Sequence, residues 1–301
     1  MMAMWWTAVV LVMVGSVTAL IPTKTCIKSK GGFNELRAST GDHPAKHPAN
    51  TVSGFTVSVY SAEQLGAAVV KDFLTHAEAE IKSKGAFYCA VPGGSVLKML
   101  GGLKDHKNAV DFSKIHMFYA NHKCVPNNDG SATHFKAKGL FLDTCPINAY
   151  ALSETVGAKG HDTDAHEYAK TMKSILPQSN GLPVFDYMLL GMGKDGHIGS
   201  LYPDRQEVFM SASDPWVLTV DKKLPSSITL SLPVMNAAKE VRVVLAGGDK
   251  AEAVLTGVSR SKAAAAFPAC GVTQAKWMID APAATLLESK AIVTKSNYVQ
   301  M

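Results

Sequence analysis

The chain lacks any C-x-x-C pair: its five cysteines, Cys26, Cys89, Cys124, Cys145 and Cys270, are irregularly spaced. That excludes the usual sequence patterns of a zinc site or a dense disulfide framework, and it leaves open whether any of the five are paired. Cys89 sits in the apolar stretch "AFYCAV" and reads as a small buried hydrophobe. There is no C2H2 pattern and no RNP-like aromatic motif, and the net charge of +5 is not gathered into one block. Such a balance suits anionic small molecules; nucleic-acid binding is not expected. No internal repeat and no low-complexity linker follows residue 50.

With 47% hydrophobic and 18% charged residues, the chain can bury a substantial core. Its beginning differs from the rest. "MWWTAVVLVMVGSVTAL" (residues 4–20) is uncharged and ends in the small residues Val17-Thr18-Ala19, with no Lys or Arg before it. At the short end for a membrane span, it reads as a signal peptide over residues 1–19, with a membrane anchor as the alternative. Entry into the secretory route is then expected, with the ER lumen or, by two-step import, a plastid as destination, and secretion less favoured. No stable membrane association is expected once the signal is removed. Residues 20–50 carry Lys24, Lys28, Lys30, Arg37 and Lys46 against Glu35 and Asp42, without hydrophobic periodicity. This is a basic linker or a transit segment. Residues 51–301 read as one catalytic-size domain.

Within that domain strands and helices alternate. "FTVSVYS" (residues 55–61) predicts a strand. Ser61 and Gln64 predict a capping box, followed by Leu65, Val69, Phe73, Ala77 and Ile81 at helical spacing. "AFYCAV", "IHMFYA", "VFDYMLL", "WVLTV", "SITLSL", "VRVVLAG" and "KWMID" predict further strands. Continuous apolar strands between amphipathic helices imply a mainly parallel sheet covered on both faces, with ligands at the carboxyl ends of the strands. Three chemically unusual loops fall at such ends: residues 92–95, 121–126 and 191–200.

The third loop lies in "LLGMGKDGHIGSLYP" (residues 189–203), which satisfies G-x-G-x-x-G. It is a poor dinucleotide site. Pro203 leaves room for a short helical turn at most, and no acidic residue ends the next strand in the place a ribose needs. The loop reads better as a mount for His197. Asp195, two residues earlier, can hold one imidazole nitrogen and leave the other free as a base.

"FDYMLLGMGKDGHIGSLYP" resembles the signature of the 6-phosphogluconolactonases, pentose-phosphate enzymes related to the glucosamine-6-phosphate isomerases. "VPGGS" resembles that family's sugar-phosphate loop, "ITLSLPVMNAAKEVRVVLAGGDKAEAV" its Ile-Thr strand and Gly-x-x-Lys helix start, and "FPA" and "WMIDAPAA" its closing motifs. The likeness runs from about Phe55 to Leu287 and implies a modified Rossmann-like α/β fold. The isomerase and deaminase branch continues Phe-Asn-Glu-Pro after the histidine. Here Ser200-Leu201-Tyr202-Pro203 is close to the lactonase form, and the deaminase glutamate is absent.

The resemblance implies hydrolysis of 6-phospho-D-glucono-1,5-lactone, with His197 as general base and Asp195 as its orienting partner. Gly93, Gly94, Ser95, Lys123, Gly193 and Lys250 are the expected substrate and phosphate contacts. No metal or other cofactor is implied. The implied partner is a sugar-phosphate lactone, and the oligomeric state is open. Two departures stand out. The family's Asp-Glu-Arg is Asn121-His122-Lys123 here, and an arginine common before "ITLSL" is Ser227. His122, when protonated, is a candidate to make up the missing charge; a solvated surface histidine is the other reading. These losses keep open an altered sugar-phosphate substrate, an isomerase or deaminase, and a non-catalytic sugar-phosphate-binding paralogue.

Overall fold

Ser61 begins the first long helix as its sequence predicts. Its hydroxyl accepts the Gln64 N–H at 3.3 Å, and the Gln64 side chain accepts the Ser61 N–H at 3.4 Å. The helix, α1 (Ala62–Lys84), stops at Gly85, whose φ of 82° is the left-handed conformation that residues with a Cβ adopt reluctantly. Its buried face is Leu65, Val69, Val70, Phe73 and Ala77. The computed structural model describes residues 50–52, 55–154, 156–157 and 160–289. The expected signal peptide and almost all of the basic segment lie outside these residues.

The strands, in chain order, are β1 (Asn50–Val52), β2 (Phe55–Tyr60), β3 (Phe87–Val91), β4 (Ile115–Tyr119), β5 (Asn121–Lys123), β6 (Asn148–Tyr150), β7 (Gln178–Ser179), β8 (Leu182–Pro183), β9 (Tyr187–Leu190), β10 (Val217–Val220), β11 (Ser227–Leu230), β12 (Glu240–Leu245) and β13 (Ala275–Asp280). The remaining α-helices are α2 (Gly94–Met99), α3 (Thr133–Ala137), α4 (His161–Ile175), α5 (Leu232–Ala237), α6 (Ala251–Ser259) and α7 (Ala281–Ser289).

The main sheet has eight strands in the order β1-β2-β13-β12-β9-β3-β4-β6. Only β1 is antiparallel to its neighbour; every other pairing is parallel. Successive residues of a strand face opposite sides, so each interior strand feeds two cores. Phe118, Met188, Val243 and Trp277 enter one core, which takes in α4, α6 and α7. Met117, Tyr119, Leu189 and Met278 enter the other, against α1 and α2. The result is a single-domain, mainly parallel α/β sheet with helices on both faces, as the alternation implied.

"WVLTV" and "SITLSL" do not join this sheet. As β10 and β11 they form a separate antiparallel sheet with β5, in the order β10-β11-β5. Periodicity shows that a segment is a strand, but not which edge it pairs with. Cys89, Cys124, Cys145 and Cys270 are all free and buried, so these four form no disulfide.

Candidate active site

β3 and β9 are neighbours in the middle of the sheet, and the chain leaves them in opposite directions, β3 toward β4 and β9 toward β12. Loops leaving the carboxyl ends of such a pair diverge and open a crevice. A cavity of about 440 Å³ lies there, a common size for a small-ligand site. Pro92, Gly93, Gly94 and Ser95 line it after β3, and Gly191, Met192, His197 and Ser200 after β9. β12 contributes Leu245 and, beyond its end, Lys250. The small sheet adds Asn121, Lys123 and Ser227. The three loops picked out by sequence therefore meet in one place.

The loop after β9 is built around its histidine. The His197 Nδ1 is 2.6 Å from Asp195 Oδ1, and the His197 backbone N–H bonds the same oxygen at 3.2 Å. The carboxylate only accepts, so Nδ1 carries a proton, and in the neutral ring the lone pair is on Nε2. Burial pushes the Asp195 carboxyl up, but the backbone N–H and imidazole of His197 hold it below its ordinary value. The Tyr202 ring lies against the imidazole, centroids 4.7 Å apart. Gly196, at φ +83°, makes the turn, and a Cβ there would stand 2.4 Å from the Phe267 ring. No α-helix follows this loop, only a single 3₁₀ turn at Gln206–Phe209; Met192, Ile198 and Leu201 close the loop with isolated bridges instead. That disposes of the dinucleotide reading.

Gly193 is placed differently from the expectation. It does not line the cavity. A Cβ on it would stand 2.1 Å from the His197 ring, so Gly193 makes room for the imidazole.

Lys123, Lys136, Lys223 and Lys250 all reach the cavity, and among the described residues no carboxylate lines it. None of the four is ion-paired with a carboxylate among the described residues. Lys136 and Lys223 escaped the sequence reading, since nothing in "HFKAKG" or "DKKLPSS" distinguishes them from surface lysines. Lys223 Nζ sits 5.0 Å from the centre of the Tyr202 ring. Lys123 and Ser227 are direct partners across the β5–β11 pairing, so the two expected arginines are missing from one spot. Lys250 is held by its loop: the buried Asp280 carboxylate accepts the Gly247 N–H at 2.9 and 3.0 Å. Lys194 pairs with Asp249 at 2.9 Å and ties the β9 loop to the β12 loop. A larger groove, about 780 Å³, lies beside α4 and β10, but it mixes Asp162 and Asp214 with Lys170 and Lys173 and gathers no excess of one charge.

His122 corrects another expectation. It is neither a surface histidine nor a spare cation. It is fully buried, and burial pushes its pKa down from the ordinary 6.5 to about 4. The folded chain thus resists a proton that the unfolded chain accepts near 6.5. Stability from this group is complete above pH 6.5 and falls as the pH drops toward 4. The loss amounts to about 3 kcal/mol. Urea midpoints measured between pH 7 and 4 check this; His122→Gln should flatten the decline by that amount.

Elsewhere Cys124, His161 and Asp164 bring a thiol, an imidazole and a carboxylate within 4.8 Å of one another. Asp164 already accepts the Gly157 N–H on both oxygens and lies 3.1 Å from His161 Nδ1, which makes the cluster a loop staple.

Residues 60–279 match the family model described as glucosamine-6-phosphate isomerases/6-phosphogluconolactonase. The chain is 33% identical over 225 residues to 6-phosphogluconolactonase 3, chloroplastic, of Arabidopsis thaliana, covering 68% of this chain and 67% of that one. It is 30% identical over 252 residues to a probable 6-phosphogluconolactonase 4, chloroplastic, of Oryza sativa subsp. japonica, covering 78% and 77%. Among solved structures, the 6-phosphogluconolactonase of Trypanosoma brucei superposes with a TM-score of 0.67 at 24% identity, over 77% of this chain and 98% of that one. At that identity the superposition establishes the fold.

Proposed function

The chain belongs to the glucosamine-6-phosphate isomerase/6-phosphogluconolactonase family, and on that premise we propose that it hydrolyses 6-phospho-D-glucono-1,5-lactone to 6-phosphogluconate. One observation carries the reading: a histidine with a carboxylate-held Nδ1 faces a cavity lined, among the described residues, by four lysines and no acid. Nε2 of His197 takes a proton from a water as that water's oxygen bonds to C1. The tetrahedral intermediate collapses, the C1–O5 bond breaks, and the proton passes to O5. Asp195 holds the ring and offsets the imidazolium charge. The lysines take the phosphate, and backbone N–H groups of the 92–95 and 191–200 loops are the donors available to the oxyanion. The catalytic domain is residues 51–301.

The absence of a carboxylate from the cavity speaks against the isomerase or deaminase alternative, whose resemblance calls for a glutamate near the histidine. The test is to give the purified chain fresh 6-phosphogluconolactone and follow hydrolysis above the spontaneous rate. Binding of 6-phosphogluconate without turnover would instead mark a non-catalytic paralogue. Ammonia release from glucosamine-6-phosphate would mark the deaminase branch.

Lys250→Ala should raise KM for the phosphorylated lactone about tenfold or more, the worth of a charge-assisted hydrogen bond, with little change on unphosphorylated gluconolactone. Equal losses on both substrates would remove Lys250 from phosphate binding. Lys123→Ala should behave alike, and Lys123→Arg should shift KM because the planar fork grips two oxygens where lysine offers a point charge.

The compartment is part of the same reading. The basic segment over residues 20–50 and the chloroplastic names of the relatives support a plastid destination. A reporter fused to residues 1–50 should reach plastids, and one fused to residues 1–25 should stop in the ER. A cytosolic reporter in both cases would rule out the targeting scheme.

A further inference from the structure

We propose that His122 is a positioning residue for the anion-binding side of the cavity: as the neutral Nδ1–H tautomer it caps the helix that carries Lys136 from the strand that carries Lys123. The identity of the anion rests on the reading above; the clamp itself rests on geometry alone.

Asn121 and Lys123 line the cavity, and strand alternation turns His122, between them, to the opposite side. There it is fully buried, edge-on to the Tyr119 ring at 5.2 Å. Both ring nitrogens are engaged. The His134 backbone N–H donates to Nε2 at 3.2 Å, and Nδ1 lies 2.6 Å from the Lys123 carbonyl. A donor facing Nε2 requires a lone pair there, and a carbonyl facing Nδ1 requires a proton. One tautomer satisfies both.

The His134 N–H has a particular need for this acceptor. It belongs to the second residue of α3, and the first N–H groups of a helix have no partner within it. A serine, threonine or aspartate at the N-cap usually supplies one. The N-cap here is Ala132, with no side-chain cap. His122 takes that place from another element and joins β5 to α3. Thr133 and Lys136 of α3 and Lys123 of β5 line one cavity, so the join sets the distance between their anion-binding groups. In the family pattern this position is glutamate, which accepts but cannot donate to the Lys123 carbonyl. The histidine does both.

The groups around the ring leave a proton no welcome. On its own strand the neighbours are Asn121 and Lys123. From β4 comes Tyr119, whose hydroxyl bonds His134 Nδ1 at 2.9 Å. From α3 come His134 and Lys136, and across the small sheet Ile228 is its partner. Among the described residues no carboxylate bonds either nitrogen. A proton on Nε2 would set N–H against N–H, and α3 would lose its cap.

Two measurements on the full chain decide the matter. In a ¹⁵N-histidine NMR spectrum at pH 7, the resonances lost in His122→Gln should show a protonated Nδ1 and a bare Nε2. The reverse tautomer overturns the proposal. In calorimetry with 6-phosphogluconate, His122→Leu, which removes both bonds, should weaken binding on the order of tenfold, with KM rising in step and kcat falling less than about threefold. His122→Gln, which keeps an acceptor for the His134 N–H, should restore most of the affinity. It should also lose less affinity than the wild type between pH 6 and 4. Unchanged affinity in His122→Leu overturns the proposal. If that variant does not fold, identical pH dependence in wild type and His122→Gln overturns it. If the wild type neither binds 6-phosphogluconate nor hydrolyses the lactone, the functional reading fails separately. The clamp then stands or falls on the tautomer and on the His134 amide, whose exchange should quicken in His122→Leu.

Discussion

His197→Ala should lower kcat for 6-phosphogluconolactone by about 10²–10⁴-fold, the usual contribution of a positioned general base, while 6-phosphogluconate binds within about threefold of the wild type. The split follows from where the groups sit. The lysines that would hold the phosphate come from β5, α3, the β10–β11 loop and the start of α6, and none depends on the imidazole for its place. Initial rates corrected for spontaneous hydrolysis, set beside calorimetry, measure both halves. Asp195→Asn should lose less, because the amide oxygen can still accept from Nδ1 but no longer offsets an imidazolium. Asp195 is held below its ordinary value and stays ionised at neutral pH, so the acid limb of the pH–rate profile should survive in Asp195→Asn. Near-normal turnover in His197→Ala would put the base elsewhere.

Gly193→Ala should cost nearly as much activity although it alters no polar group. The added methyl would stand 2.1 Å from both Nδ1 and Cε1 of His197 and 2.6 Å from Asp195 Oδ1. No real contact is so short, so the imidazole must leave and its bond to Asp195 must break. The ring can swing into the open cavity, since the His197 side chain is 28% exposed. The backbone bonds that close the loop, Gly193 N–H to His197 O at 2.9 Å and Gly196 N–H to Gly193 O at 3.0 Å, need no side chain and should persist. The expected result is a fall in kcat of about 10²-fold or more with a stability loss near 1 kcal/mol. Thermal melts and rates on one preparation separate the two. A variant with wild-type kcat would show that the packing behind His197 does not set its position. A variant that is unfolded would show that the glycine serves the fold instead.

What the sequence determined by itself was local or periodic. The capping box at Ser61 and Gln64, the apolar stripe of α1 and the main-sheet strands β2, β3, β4, β9, β12 and β13 follow from side-chain period and backbone preference over a few residues; the short edge strands β1 and β6 carried no such pattern. So does the pairing of Asp195 with His197, since a carboxylate two residues away reaches both the backbone N–H and the ring nitrogen of one turn. Only the tertiary structure decided the rest. Lys123 and Ser227 are far apart in the chain and become neighbours through strand register, which no local pattern specifies. Lys136 and Lys223 turn into cavity groups because a helix and a loop fold over the crevice. Alternation places His122 opposite its neighbours, but it took α3 packing on that side to bury it and give its two nitrogens their partners. Gly193 was expected as a substrate contact on sequence alone; that it also leaves the space behind the His197 imidazole shows only in the folded loop. Spacing along a chain records which groups can meet within a turn. Which groups share a cavity depends on the free energy of packing whole elements, and that is summed over the entire molecule.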